Sequence, residues 1–190
     1  MSILMQEWPR RHRITVQHYY RMAEAGLFAE DQRVELIDGE IIDMPPMGSR
    51  HAGTLEQLAN MLSVAIEGHA IVRPQLPVRL SDDSEPQPDI AVVKARSDHY
   101  KASHPTAADV LLLVEISDTT LRYDRDVKLE LYAQSGVAEV WIVDLQGGQI
   151  QFNRVPANGK YTEISVTDAP GITSVASLSG VAVDLSLLQT

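Results

Sequence analysis

Five apolar residues in succession, 110–114, run into a carboxylate at Glu115 and then Ile116. A run that short and that apolar predicts a strand buried on both faces. Burying an ionised carboxylate is costly without a cation, a metal or strong hydrogen bonds, so Glu115 calls for a positive partner. Asp118, Thr119 and Thr120 read as turn or cap residues, and 124–135 as a helix stopped by Gly136. In that helix Val127 and Leu131 form an apolar pair four residues apart, and Lys128 shares a neighbouring stripe with Asp124 and Tyr132. A second buried strand follows at 140–143. Strand, helix, strand predicts a crossover with the two strands parallel or nearly so, and a helix from which Lys128 reaches back to the end of the first strand.

The flanking sequence supplies shorter elements. Thr15 is a suitable N-cap for a helix through Ala25, with Val16, Tyr19, Tyr20 and Ala23 as its stripe and Gly26 as its stop. In 33–44 (RVELIDGEIIDM) the pair Asp38-Gly39 lies between two alternating segments, a strong hairpin signal. Glu35 falls on the first of these strands, as either an outward-facing residue or part of a site. A helix is expected over 51–68, with Ser49 as its cap and Leu55, Leu58, Ala59, Leu62 and Ile66 as its core face. Residues 70–80 read as an edge strand broken by Pro74 and Pro77, and Asp89 stands at the mouth of another buried strand. Gly147-Gly148 and Asn158-Gly159 mark two further hairpins, and the alternation at 181–185 extends the expected antiparallel sheet to the carboxyl end. The expectation is one domain over 1–190, with 1–13 as a flexible arm carrying Arg10, Arg11 and Arg13.

Composition narrows the chemistry. An apolar fraction of 44% and a charged fraction of 22% are ordinary for a globular domain, and no apolar run approaches the length that crosses a bilayer. The absence of cysteine excludes disulfides, thiolate zinc sites and cysteine nucleophiles, and a cytoplasmic location is the default expectation. Six histidines form no tight cluster, which argues against a histidine-built zinc site. Sixteen basic against 26 acidic residues give a net charge of −10, unfavourable for tight non-specific DNA binding by a monomer.

Asp89, Glu115 and Lys128 then form a coherent set. Two carboxylates on adjacent strands suit a hard divalent cation such as Mg²⁺, which takes oxygen ligands and keeps several waters. A lysine beside them would orient a water or stabilise charge on a phosphoryl group, the requirements of phosphodiester hydrolysis. The competing reading is structural, with Lys128 neutralising Glu115 and Asp89 capping a loop.

Pro88-Asp89 followed by Glu115-Ile116-Ser117 resembles the PD-(D/E)xK nuclease superfamily. The ordered series Val34-Glu35-Leu36-Ile37-Asp38-Gly39-Glu40, His51, Gln87-Pro88-Asp89-Ile90, Val114-Glu115-Ile116-Ser117, Tyr123-Asp124 with Lys128 and Tyr132, and Gly136 to Asp144 resembles more closely the Uma-type family of putative restriction endonucleases. The resemblance covers roughly residues 15–165. It implies an α/β (α+β) restriction-endonuclease-like fold, a mixed central sheet flanked by helices with antiparallel hairpin extensions. It also implies a DNA endonuclease in which Asp89 and Glu115 bind Mg²⁺, with Mn²⁺ as a substitute, Lys128 is the catalytic lysine and Glu35 a fourth acidic residue. Glu56 and His51 are rivals for completing the site. The lysine of the wider superfamily stands two residues after the glutamate, where this chain has Ser117, so Lys128 would be a migrated lysine. A homodimer is expected by analogy, and an inactive nuclease fold kept as a binding module is the alternative.

Overall fold

The computed structural model describes residues 11–29 and 31–188. Most of the expected arm therefore lies outside the described residues. Of the remainder, Arg11 pairs with Glu40 at 3.2 Å and Arg13 with Asp83 at 3.9 Å.

A six-stranded sheet organises the molecule. Its strands are β3 (Ala70–Pro74), β4 (Ile90–Lys94), β5 (Val110–Ser117), β6 (Glu139–Asp144), β7 (Gln149–Ala157) and β8 (Lys160–Thr167), adjacent in that order. Only β5 and β6 are parallel; every other neighbouring pair is antiparallel. The parallel pair is the one joined by the expected helical crossover. The mixed sheet with flanking helices and antiparallel hairpins is the fold class expected from the sequence.

Both faces of the sheet are covered, which is why the central strands read as continuous apolar runs. On one face lies α2 (Ser49–Ala65), whose Leu55, Leu58 and Leu62, with Ile66 just beyond, pack on Ile90, Val92, Val114 and Trp141. On the other, Tyr132, Ala133 and Val137 pack with Val78, Tyr100 and the inner residues of β4 to β6. The amino-terminal hairpin, β1 (Val34–Ile37) and β2 (Glu40–Asp43), turns at Asp38-Gly39, both with positive φ (48° and 72°). Gly39 is required twice over, since a Cβ there would also sit 2.6 Å from the Arg13 Cβ. Helix α1 (Val16–Glu24) is capped by the Thr15 side chain as expected, but only Val16 of its stripe is fully buried.

Several expectations need correction. Ser49 does not cap α2; it is the first helical residue, and Gly48 occupies the cap position without a side-chain bond. The strand expected over 70–80 ends at Pro74, because Gln75 takes a positive φ and the prolines supply no donors. The crossover helix begins at Leu121, not Asp124, and is not uniform. A short helical turn α3 (Leu121–Tyr123) leads into a π-helical turn over Asp124–Lys128, then α4 (Leu129–Gln134). Of the apolar pair Val127 and Leu131, only Leu131 is buried, and Val127 is 39% exposed. The carboxyl-terminal alternation also has a different use. Strands β9 (Ile172–Ser174) and β10 (Ala182–Asp184) pair only with each other. Pro170-Gly171 follows β8, and the hairpin beyond lays Val175, Val181, Val183 and Leu185 into the core cluster that contains α2.

Candidate functional site

Three pieces of backbone bring the acidic side chains to one place. Strand β5 is apolar up to Val114 and then presents Glu115, which is 3% exposed. Asp89 precedes β4, the antiparallel neighbour of β5. The hairpin of β1 and β2 docks through the Glu85 N–H, which donates to Leu36 O at 2.7 Å. All four residues of β1 are buried, and Glu35 is therefore an inward-facing residue, not an outward one.

The π-helical turn supplies the cation. The Leu129 N–H donates to Asp124 O five residues back, an extra residue in the ring compared with an α-helix. Asp124, Lys128 and Tyr132 are all buried along this segment. The Lys128 Nζ lies 3.1 Å from Glu115 Oε1 and 3.2 Å from Glu35 Oε2. The Tyr132 hydroxyl donates to the same Glu115 oxygen. Glu35 Oε2 also accepts the Gln87 N–H at 3.0 Å. Asp124 accepts the hydroxyls of Ser117 (2.8 Å) and Thr120 (2.6 Å). Ser117 thus anchors the turn from which Lys128 projects.

Asp89 belongs to a second arm of the cluster. Its Oδ2 accepts the Ile116 N–H at 2.8 Å and lies 3.0 Å from His51 Nε2. Among the described residues its Oδ1 receives only a long contact from Gln75 at 3.5 Å. Lys128 forms no ion pair with Asp89, so the three expected residues gather as two linked pairs, Glu115 with Lys128 and Asp89 with His51. Glu56 is exposed on α2 and is not among the residues lining the cavity; Glu35 and His51 are.

These groups line a cavity of about 400 Å³. Its outer wall is Met44 to Gly48, and Arg33, Asp118 and Tyr123 also face it. Sequence reasoning gave Arg33 no role, read Thr120 only as a turn or cap residue and took Gln87 only as part of the family-like series, because a polar residue in a loop carries no periodic signal of what it faces.

Charge balance defines the electrostatics. Glu35, Asp89, Glu115 and Asp124 cluster around Lys128 and His51, and Arg33, Asp43 and Asp118 also line the cavity. Burial pushes the Glu115 carboxyl up to about 8; Lys128 opposes this, while Asp124 and Asp89 add to it. Burial likewise raises Asp124. Lys128 would be lowered by its own burial, but Glu115, Glu35 and Asp124 together outweigh that and raise it, so it stays an ammonium. His51 is raised chiefly by its hydrogen bond to Asp89, with burial opposing. One ammonium shared by several carboxylates leaves the cluster short of positive charge, and the Glu115 carboxyl holds a proton readily.

That deficit suits a small hard cation. Among the described residues Glu115 Oε2 accepts no protein hydrogen bond, and Asp89 Oδ1 is nearly free. No set of three or more His, Asp or Glu side chains among the described residues converges as a ready metal cage. An ion here would draw most of its shell from water and substrate, which is the habit of Mg²⁺ rather than of structural zinc.

Comparison with known proteins gives a consistent result. A family model described as Uma2, putative restriction endonuclease, matches residues 16–186. A solved structure described as a putative nuclease belonging to DUF820, from Anabaena variabilis, superposes with a TM-score of 0.69 at 16% identity. The match covers 92% of this chain and 97% of the other. No curated protein matches significantly. Among the described residues no helix is long and apolar enough to cross a membrane.

Proposed function

The chain belongs to the Uma2 family of putative restriction endonucleases, and from that premise we propose that it is a metal-dependent nuclease hydrolysing DNA phosphodiester bonds. The observation that carries this reading is the excess of buried carboxylate around one ammonium in an open cavity: Glu115 and Glu35 both within 3.2 Å of Lys128, with Asp89 on the adjoining strand end. A purely structural ion pair would need one carboxylate per cation and no cavity.

Asp89 and Glu115 would hold Mg²⁺, for which Mn²⁺ substitutes. When bound, such an ion polarises a phosphoryl oxygen and lowers the pKa of water. Glu35 and Glu115 keep Lys128 protonated and fix its Nζ, so the lysine donates hydrogen bonds to a phosphate oxygen or an attacking water and does not act as a base. Tyr132 fixes the rotamer of Glu115, and the Ile116 N–H fixes that of Asp89. His51 Nε2 meets the same Asp89 oxygen as that N–H, which leaves Oδ1 with only the long Gln75 contact among the described residues. Ser117 and Thr120 hold Asp124 and with it the start of the π-helical turn.

Purified protein is expected to cleave DNA with Mg²⁺ or Mn²⁺, to stop in EDTA, and to lose cleavage in Asp89→Ala. Calorimetric titration with Mn²⁺ separates this from an inactive binding module. A site lost in both Asp89→Ala and Glu115→Ala supports the nuclease. Mn²⁺ binding unchanged in both, together with no cleavage of any DNA, overturns it.

A further inference from the structure

The two edges of the sheet are built differently. At one edge β3 is five residues long, ends in Pro74, carries Arg73 and packs against α2. These are the usual devices that keep an edge from pairing with another chain. At the other edge β8 is eight residues long and, among the described residues, hydrogen-bonds to β7 alone. Residues 162–166 are all exposed, and among them Ile164 (57%) and Val166 (52%) are large apolar side chains. Its inner sequence, Thr162-Glu163-Ile164-Ser165-Val166-Thr167, contains no lysine, proline or glycine and a single charge. A shallow groove of about 230 Å³ beside it shares Tyr161 and Ile164 with the edge and reaches Leu129.

We infer that β8 is the contact through which two copies of this chain associate, strand against antiparallel strand, with Ile164 on the two-fold axis. The sequence supports one register in particular. In an antiparallel pair centred on Ile164, each residue meets the one equally far on the other side of the centre. Thr162 then faces Val166 of the second copy, two β-branched residues that pack well across strands. Glu163 faces Ser165, so the one central carboxylate meets no like charge. Lys160 faces Asp168, the residue that follows the strand, and the dyad repeats this pair, so opposite charges close both ends. The exposed backbone N–H and C=O groups of β8 gain partners, and two six-stranded sheets become one of twelve. Other registers lose the self-match of Ile164 or place Lys160 away from Asp168. This inference stands independently of the nuclease reading, since it uses no residue of the cavity.

Sedimentation equilibrium of the full chain tests it. A reversible dimer is expected in the micromolar range. Ile164→Lys sets two ammoniums opposite each other at the axis and should leave a monomer; circular dichroism melts should show that it still folds, since the position is exposed. Lys160→Asp should weaken the dimer about tenfold or more, because two attractive pairs become two repulsive ones. Lys160→Asp with Asp168→Lys should restore it to within about threefold of the original by returning opposite charges to the same register. A protein monomeric up to the order of 100 µM, a dimer untouched by Ile164→Lys, or a double variant no tighter than Lys160→Asp alone would overturn the inference. None of these outcomes bears on DNA cleavage, so failure here and failure of the nuclease reading are told apart by separate assays.

Discussion

Two glutamates on adjacent strands, Glu139 on β6 and Glu115 on β5, are equally hidden from solvent and chemically opposite. Glu139 is saturated. Its Oε1 receives the Trp141 indole N–H at 2.8 Å and the Arg154 guanidinium at 2.7 Å and 2.6 Å, and its Oε2 the Ala176 N–H at 2.7 Å. One carboxylate has one cation, and both oxygens are engaged by fixed donors. Glu115 shares its cation with Glu35, has one oxygen without a protein donor among the described residues, faces a cavity and is surrounded by further acids. Burial of a carboxylate is thus no sign of function by itself. The sign is an unbalanced account of partners, because a saturated acid has nothing left to bind and an unsaturated one is stable only if something else is to arrive.

The contrast is broken most directly by making the same substitution at both. Glu115→Gln should reduce DNA cleavage by about 10³-fold or more while thermal unfolding shows an intact fold. Glu139→Gln should do the reverse, losing about 2–4 kcal/mol in urea titration as the Arg154 guanidinium loses its carboxylate, with cleavage per folded molecule retained. If Glu139→Gln stopped cleavage with the fold intact, the distinction between the two acids would be wrong. Next in size, Lys128→Met should strand Glu35 and Glu115 without a cation and cost about 3–5 kcal/mol. Adding Glu115→Gln to it should recover much of that stability and none of the activity, a non-additivity that urea midpoints would reveal.

A smaller effect concerns pH. In the folded protein the Glu115 carboxyl is held up to about 8, against an ordinary 4.5, so between those values the folded state binds the extra proton. Stability of the metal-free protein should therefore fall as pH rises through that window, and the slope should be shallower in Glu115→Gln. Urea midpoints at pH 5 and pH 8 in EDTA give the measurement, and a wild-type slope no steeper than the variant's would contradict the charge deficit. Smallest of all, His51→Gln should lower cleavage by about tenfold, since Asp89 keeps the Ile116 N–H but loses its second support.

How legible was this in the chain? The pairing of Glu115 with Lys128 was, because an apolar strand ending in a carboxylate, a helix carrying lysine and a second apolar strand leave few ways to connect. Glu35 was ambiguous, since a four-residue strand reads alike whether one face or both are covered, and only the docking of the hairpin buried it. Glu56 stood as the rival to Glu35, yet α2 turns its apolar stripe to the sheet and leaves that glutamate outside. The π-helical turn had no visible signal, because its sequence satisfies an α-helical pattern equally well. His51 was readable as a candidate for completing the site; its partner Asp89, 38 residues away, was not.

The order of apolar and polar residues by itself determined the central strands, the parallel crossover and the hairpin turns, and the ordered motif residues carried the family resemblance. Those depend on spacing along the chain and on the steric needs of a few turn residues, both local quantities. Which acids share a cation, which oxygen is left without a donor and which sheet edge stays bare depended on the tertiary structure. They are properties of distances between residues remote in sequence, and burial and charge act through space, not along the backbone.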